Sequence, residues 1–198
     1  MYGFNINCFS LGLYHVRRKF LRGIHIFVEM KKITLVFVVS IFCLSADLPS
    51  SAIKKLDKAI QALWENQIVD KVEVDISKHQ FQNSHLKLSK LMVSNKLVGY
   101  LMISRAKSRV DFFDYMVVYK PDLSILSITV LAYREDYGGE IASKRWLKQF
   151  DGKNNPNNMK FGDDIQSISG ATLSARSLTQ DVQEVTKNIQ FLKIKGII

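Results

Sequence analysis

The chain has 198 residues, 47% of them apolar and only three of them proline, so it can bury the core of one domain and is not a proline-rich linker. Its 28 basic and 18 acidic residues give a formal net charge of +10, but six of the basic and one of the acidic lie in the first 46 positions, which leaves +5 on the rest. Those remaining cations are scattered and not interleaved with aromatics, a pattern of solvated surface and not of nucleic-acid binding.

Residues 1–29 carry Arg17, Arg18, Lys19 and Arg22 without a consistent apolar period. They read as an upstream extension produced by an early start, with Met30 as the true beginning; a targeting extension is the other option. Met30-Lys31-Lys32, the apolar run Ile33 to Leu44 and then Ser45-Ala46 form a secretory signal. Twelve residues are too few to cross a bilayer comfortably, although an uncleaved anchor stays open. Cleavage after Ala46 places the large Leu44 at the third position back, and Ser50-Ser51-Ala52 fits the small-x-small rule better. The expected organisation is therefore 1–29 extension, 30–52 signal and cleavage region, and 53–198 a single exported domain, periplasmic or on the extracytoplasmic face of the membrane. Both cysteines, Cys8 and Cys43, fall outside that domain, which then has no thiol, disulfide, iron–sulfur or haem site.

Within the domain, Ile53, Leu56, Ala59-Ile60 and Leu63-Trp64 have the three-four spacing of an amphipathic helix over about residues 52–68. Val72, Val74 and Ile76 alternate as a strand. His79 and His85, six apart and without a carboxylate pair nearby, make a poor metal site, and no metal is expected. Leu88 to Val93 and Leu97 to Ser104 flank Ser94-Asn95-Lys96 as a hairpin; Val110 to Tyr119 and Leu123 to Tyr133 form a second one around Pro121-Asp122. A helix over Glu140 to Phe150 would turn Ile141, Trp146 and Phe150 inward, with Trp146 also able to wall a ligand ring. The fold class is α+β: an antiparallel sheet of four or five strands, with helices on one face.

Two loops are candidates for ligand contact. Glu135-Asp136-Tyr137-Gly138-Gly139 ends the last strand, and paired glycines let a backbone approach a ligand or simply make a turn. Ser169-Gly170-Ala171-Thr172 precedes a helical run from Ala175 to about Ile189, with Ser174 placed to cap it. Free amides at such a helix start favour a phosphate, although the same string also serves an ordinary capped junction.

The string S-G-A-T-L-S at residues 169–174 resembles the flavinylation motif of FMN-binding-domain proteins, including the flavin subunits of Rnf-type and sodium-translocating NADH:quinone oxidoreductases. The similarity extends through Y-R-E-D-Y-G-G-E-I (Tyr133–Ile141) and W-L-K-Q-F-D-G-K (Trp146–Lys153), as in stand-alone exported members, and covers roughly residues 93–185. It implies FMN joined through its phosphate to the Thr172 hydroxyl, with Ser169, Gly170, Ala171 and Ser174 around it and Glu135, Gly138 and Gly139 against the flavin. Two positions depart from the pattern: Gln166 stands where the family often has Asp, with Asp164 two positions earlier, and Ser174-Ala175 where it has Thr-Ser.

The resemblance further implies a flavin transferase for attachment and an electron donor and acceptor at the membrane or outside the cytoplasm. No G-x-G-x-x-G nicotinamide fingerprint and no Ser/His/Asp constellation are present, so no catalytic residue is assigned. An electron-transfer flavoprotein is expected, not a complete oxidoreductase. The alternative is an exported binding or assembly module with a degenerate or non-covalent flavin site.

Overall fold

The structure is a computed structural model that describes residues 48–65, 67–79, 81 and 85–198. The stretch 1–29 and the apolar run of the expected signal lie outside the described residues. The compact unit begins at Leu48. Helix α1 (Ser50–Leu63) leads into strands β1 (Asp70–Val74), β2 (Lys87–Val93), β3 (Lys96–Lys107), β4 (Phe112–Tyr119) and β5 (Ile125–Ala132). Short helical turns follow at Gly139–Ala142, α2 (Lys144–Leu147), Lys148–Phe150 and Pro156–Asn158, before the long helix α3 (Thr172–Ile194). Among the described residues no helix is long and apolar enough to cross a membrane.

The five strands form one antiparallel sheet in the order β1-β2-β3-β4-β5. A meander of this kind follows from short turns between consecutive strands. Ser94 and Asn95 both take positive φ (48° and 62°) and close a two-residue hairpin between Val93 and Lys96, a conformation that matches the strand twist and that Asn tolerates. At the second hairpin the Asp122 carboxylate accepts from the amide and hydroxyl of Ser124 at 2.9 and 2.7 Å, which closes the turn.

β4 lies near the middle of the sheet and is buried from Phe113 to Tyr119, because both of its faces are covered. Phe113, Tyr115, Val117 and Tyr119 pack with Ala175, Leu178, Val182, Val185, Ile189 and Leu192, the apolar stripe of α3. Met116 and Val118 point the other way and pack with Leu101, Leu131 and with Ala52, Leu56 and Ile60 of α1. The helices therefore sit on both faces of the sheet and not on one. Two apolar faces each need cover, and α1 supplies the second.

A polar seam fixes the position of α3. Ser104 and Tyr115 both donate to Asp181 Oδ2 at 2.6 Å, and the hydroxyls of Tyr119 and Thr186 meet at 2.9 Å. Burial, reinforced by the Asp181 charge, pushes the Tyr115 phenol well above its usual range, so it stays a neutral donor. A one-turn slip of α3 would leave these buried groups unpaired, at a cost of about 1–3 kcal/mol each.

Candidate functional site

Residues 168–174 form the junction into α3. The amide of Ala171 donates to the Ile168 carbonyl at 3.3 Å, with Gly170 in the turn at φ 83°, a region that favours glycine. A Cβ on Gly170 would also stand 3.0–3.1 Å from the carboxylate of exposed Glu140, which would have to shift slightly, so the positive φ is the main constraint. Ser169 is exposed and Ala171 buried.

The helix starts three residues earlier than its pattern predicts, at Thr172, and Ser174 does not cap it. Ser174 is buried inside the first turn, and its hydroxyl meets that of Tyr133 at 3.1 Å. The N-cap position is Ala171, whose methyl side chain offers no acceptor, so α3 begins without any side-chain cap, and among the described residues no acceptor meets the amides of Thr172, Leu173 and Ser174. Thr172 is exposed, with its hydroxyl turned back to the Ile168 carbonyl at 3.3 Å. Three unclaimed N–H donors at the positive end of a 23-residue helix, beside a surface hydroxyl, are a donor set that suits a phosphate monoester.

The loop after β5 folds onto this junction. Tyr133 donates to the Tyr137 carbonyl at 3.0 Å while it meets Ser174, so one phenol ties the loop to the first turn of α3. Gly138 is buried with φ 90°, and a Cβ there would collide with the Tyr133 hydroxyl. Gly139 is different: it opens a 3₁₀ turn, and a Cβ there would meet nothing within 4 Å. Of the two glycines expected to matter for close approach, only Gly138 is conformationally required.

Glu135 is held away from the junction. Its Oε1 accepts from the amides of Val110 and Asp111 at 2.9 and 2.8 Å, and from the Ser108 hydroxyl. These donors, Asp111 first, lower its carboxyl below the usual range, so it stays ionised and clamps the β3–β4 connection against the loop. Trp146 is 6% exposed, donates to the Gln166 carbonyl at 2.7 Å and stacks edge-on to Phe150 in the core. It is therefore not available to wall a ligand ring.

The two departures from the motif have structural explanations. The Gln166 backbone is held by Trp146 and by the Gln149 side-chain oxygen at 2.8 Å, so the loop is anchored through its main chain. The Asp164 carboxylate accepts from the Lys160 amide at 2.9 Å and closes its own turn. Ala175 is fully buried against the sheet and leaves the Thr172 surface untouched. Tyr133 and Glu140, which sequence reasoning did not single out, both stand within the Tyr133–Ile141 string, and their role appears only when the loop meets the helix.

Residues 111–187, which include Thr172 and the loop, match the FMN-binding domain family. Over that stretch the chain is similar to an FMN-binding domain. A solved structure similar to it is that of NqrC from Shewanella oneidensis, with a TM-score of 0.41 and 17% identity over 53% of this chain and 61% of that protein. The chain thus spans less than two thirds of NqrC. No curated protein matches the sequence. The predicted residues Ser169, Gly170, Ala171, Thr172, Ser174 and Gly138 come together around one helix start, Gly139 adjoins them, and Glu135 braces the loop from behind.

Proposed function

We propose that the chain is an exported electron-transfer flavoprotein that holds FMN covalently, through a phosphoester to Thr172, and relays electrons between membrane or extracytoplasmic partners. The observation that carries this reading is the exposed Thr172 hydroxyl beside three unclaimed amides at an uncapped helix start, within the stretch similar to an FMN-binding domain. FMN bound there supplies one- or two-electron chemistry. The chain's part is to hold the phosphate with the amides of Thr172–Ser174 and to keep the junction shaped through Gly170, Gly138 and Tyr133. Attachment would be the work of a flavin transferase that takes a flavin dinucleotide as donor: the Thr172 oxygen forms the new phosphoester bond, the donor's pyrophosphate bond breaks, the nucleoside monophosphate leaves and the hydroxyl proton passes to water. Tyr137 and Leu173, 87% and 59% exposed, are apolar side chains next to the junction that a redox partner would meet.

The direct test is coexpression with a flavin transferase, followed by denaturation and peptide mass measurement. Flavin should remain on the peptide that contains Thr172 and be absent from Thr172→Ala, whose stability should change by about 0.5 kcal/mol or less because the side chain is exposed. A colourless wild-type protein under those conditions would instead support a binding or assembly module with a degenerate site.

A further inference from the structure

The far end of α3 borders a second cleft. Asn188 stands sixteen residues beyond Thr172, about 24 Å along the axis at the helical rise per residue, so this region is separate from the junction at residues 168–174. The cleft holds about 380 Å³ and is lined by Lys78, His79, Phe81, Lys187, Asn188 and Phe191. That volume is near the lower end of the ~300–1,000 Å³ of small-molecule sites, room for one ring with a short polar group.

Its walls come from two segments. On α3, Lys187, Asn188 and Phe191 follow the spacing i, i+1, i+4 and lie close together. Opposite them the chain after β1 turns twice: the His79 amide donates to the Ile76 carbonyl at 3.0 Å, and the Phe81 amide to the His79 carbonyl at 2.9 Å. These turns gather three rings, with His79 5.9 Å from Phe81 and 6.0 Å from Phe191, and Phe81 6.5 Å from Phe191 at an interplanar angle of 86°.

Asn188 is 8% exposed, yet its Nδ2 has no hydrogen-bond partner among the described residues. A buried amide donor that lines a cleft and meets no protein acceptor is suited to a ligand oxygen. The charge around it has one sign. Lys78 and Lys187 line the cleft, the Lys195 ammonium lies 5.6 Å from the Phe191 ring centroid, and among the described residues no acid lines it. Glu184 meets Lys187 at 3.5 Å, but both side chains are partly exposed and such a pair is weak. The neighbouring cleft of about 780 Å³ carries Glu73 and Asp75 and is the poorer place for an anion.

We propose that the smaller cleft is a second binding site, for a small aromatic carboxylate: Asn188 Nδ2 donates to a carboxylate oxygen, Lys78 and Lys187 offset the charge, and the ring lies in the angle between Phe81 and Phe191. This goes beyond the flavin reading and does not depend on attachment at Thr172. A carboxylate suits the site better than a neutral carbonyl because two ammonium groups flank the amide donor, and charge-assisted hydrogen bonds are the stronger ones. An aromatic body suits it better than an alkyl chain because edge-to-face packing onto perpendicular rings is open to it.

The test is an NMR titration of the purified full chain with sodium benzoate, followed through the Asn188 side-chain amide and the backbone amides of Phe81 and Phe191, with benzyl alcohol, acetate and inorganic phosphate as comparison probes. Benzoate should give saturable shifts confined to this cleft, and each of the other three should bind about tenfold more weakly or worse. Asn188→Leu should weaken benzoate by about tenfold or more while its urea midpoint stays at or above that of wild type, because a buried donor without a protein partner gives way to an apolar group. Lys187→Gln should weaken benzoate several-fold and leave the response to benzyl alcohol unchanged. If Asn188→Leu does not fold, Asn188→Asp takes its place: it sets a carboxylate against that of the ligand and should abolish the benzoate shifts. Shifts that do not saturate in wild type, or a lowered midpoint with unchanged benzoate affinity in the Asn188 variant, would overturn the site, and equal saturation by acetate or phosphate would overturn the aromatic class. No flavin signal is read, so failure here leaves attachment at Thr172 untouched.

Discussion

The hydroxyls of Tyr133 and Ser174 meet at 3.1 Å across 41 positions of sequence, and this single contact joins the loop after β5 to the first turn of α3. Because Tyr133 also donates to the Tyr137 carbonyl, Tyr133→Phe removes one hydroxyl and strands two partners, one of them on a buried serine. The expected cost is about 1–2 kcal/mol by urea denaturation. It should be accompanied by faster proteolysis within residues 136–139, and an unchanged midpoint and cleavage rate would show that the tie is not needed.

Gly138 and Gly139 should separate cleanly. Gly138→Ala meets both a positive φ and the Tyr133 hydroxyl and is expected to destabilise the apo protein by about 1–3 kcal/mol. Gly139→Ala enters open space at the start of a 3₁₀ turn and should stay within about 0.5 kcal/mol of wild type. Equal effects at the two positions would contradict the loop geometry.

Glu135 predicts a pH dependence. Its carboxyl is lowered in the folded chain by the Asp111 amide, the Ser108 hydroxyl and the Val110 amide. A depressed folded value means that the contribution is fully present above the unfolded value, about 4.3 for Glu, and is lost as pH falls through the folded one. Glu135→Gln should therefore be less stable than wild type at pH 7, and the gap should shrink as acid protonates the wild-type carboxyl below pH ~4. Paired denaturation curves from pH 7 to acid check this; a gap that widens in acid would refute it.

The proposed export predicts where the mature chain would begin. Ala52 is fully buried and Leu48 packs against α1's apolar cluster, so processing after Ala52 would remove the first turn of α1 from the core. If the proposed export holds, the mature chain is expected to retain Leu48, with cleavage after Ala46. An intact mass that begins at Ile53 would exclude this.

Much of the architecture was legible because its causes are local. The apolar stripe of α3 is written in a three-four spacing, the β2–β3 hairpin in the polar turn Ser94-Asn95-Lys96, of which the structure uses Ser94 and Asn95, and the turn before Thr172 in Gly170. The motif residues likewise located the stretch similar to an FMN-binding domain. Tertiary structure alone decided the rest, because it depends on which distant groups compete for the same atom or space. The helix begins early enough to put Ala171 at the cap position and Ser174 inside the first turn against Tyr133; the positive φ of Gly138 together with the Tyr133 hydroxyl makes it, rather than Gly139, the constrained residue. A second apolar face on β4 draws α1 to the other side of the sheet, and the packing of Trp146 against Phe150 removes it from the surface. Arg176 and Phe161 meet across 15 positions only because the turn at Lys160–Ile165 is laid beside α3, which no periodicity in either segment encodes.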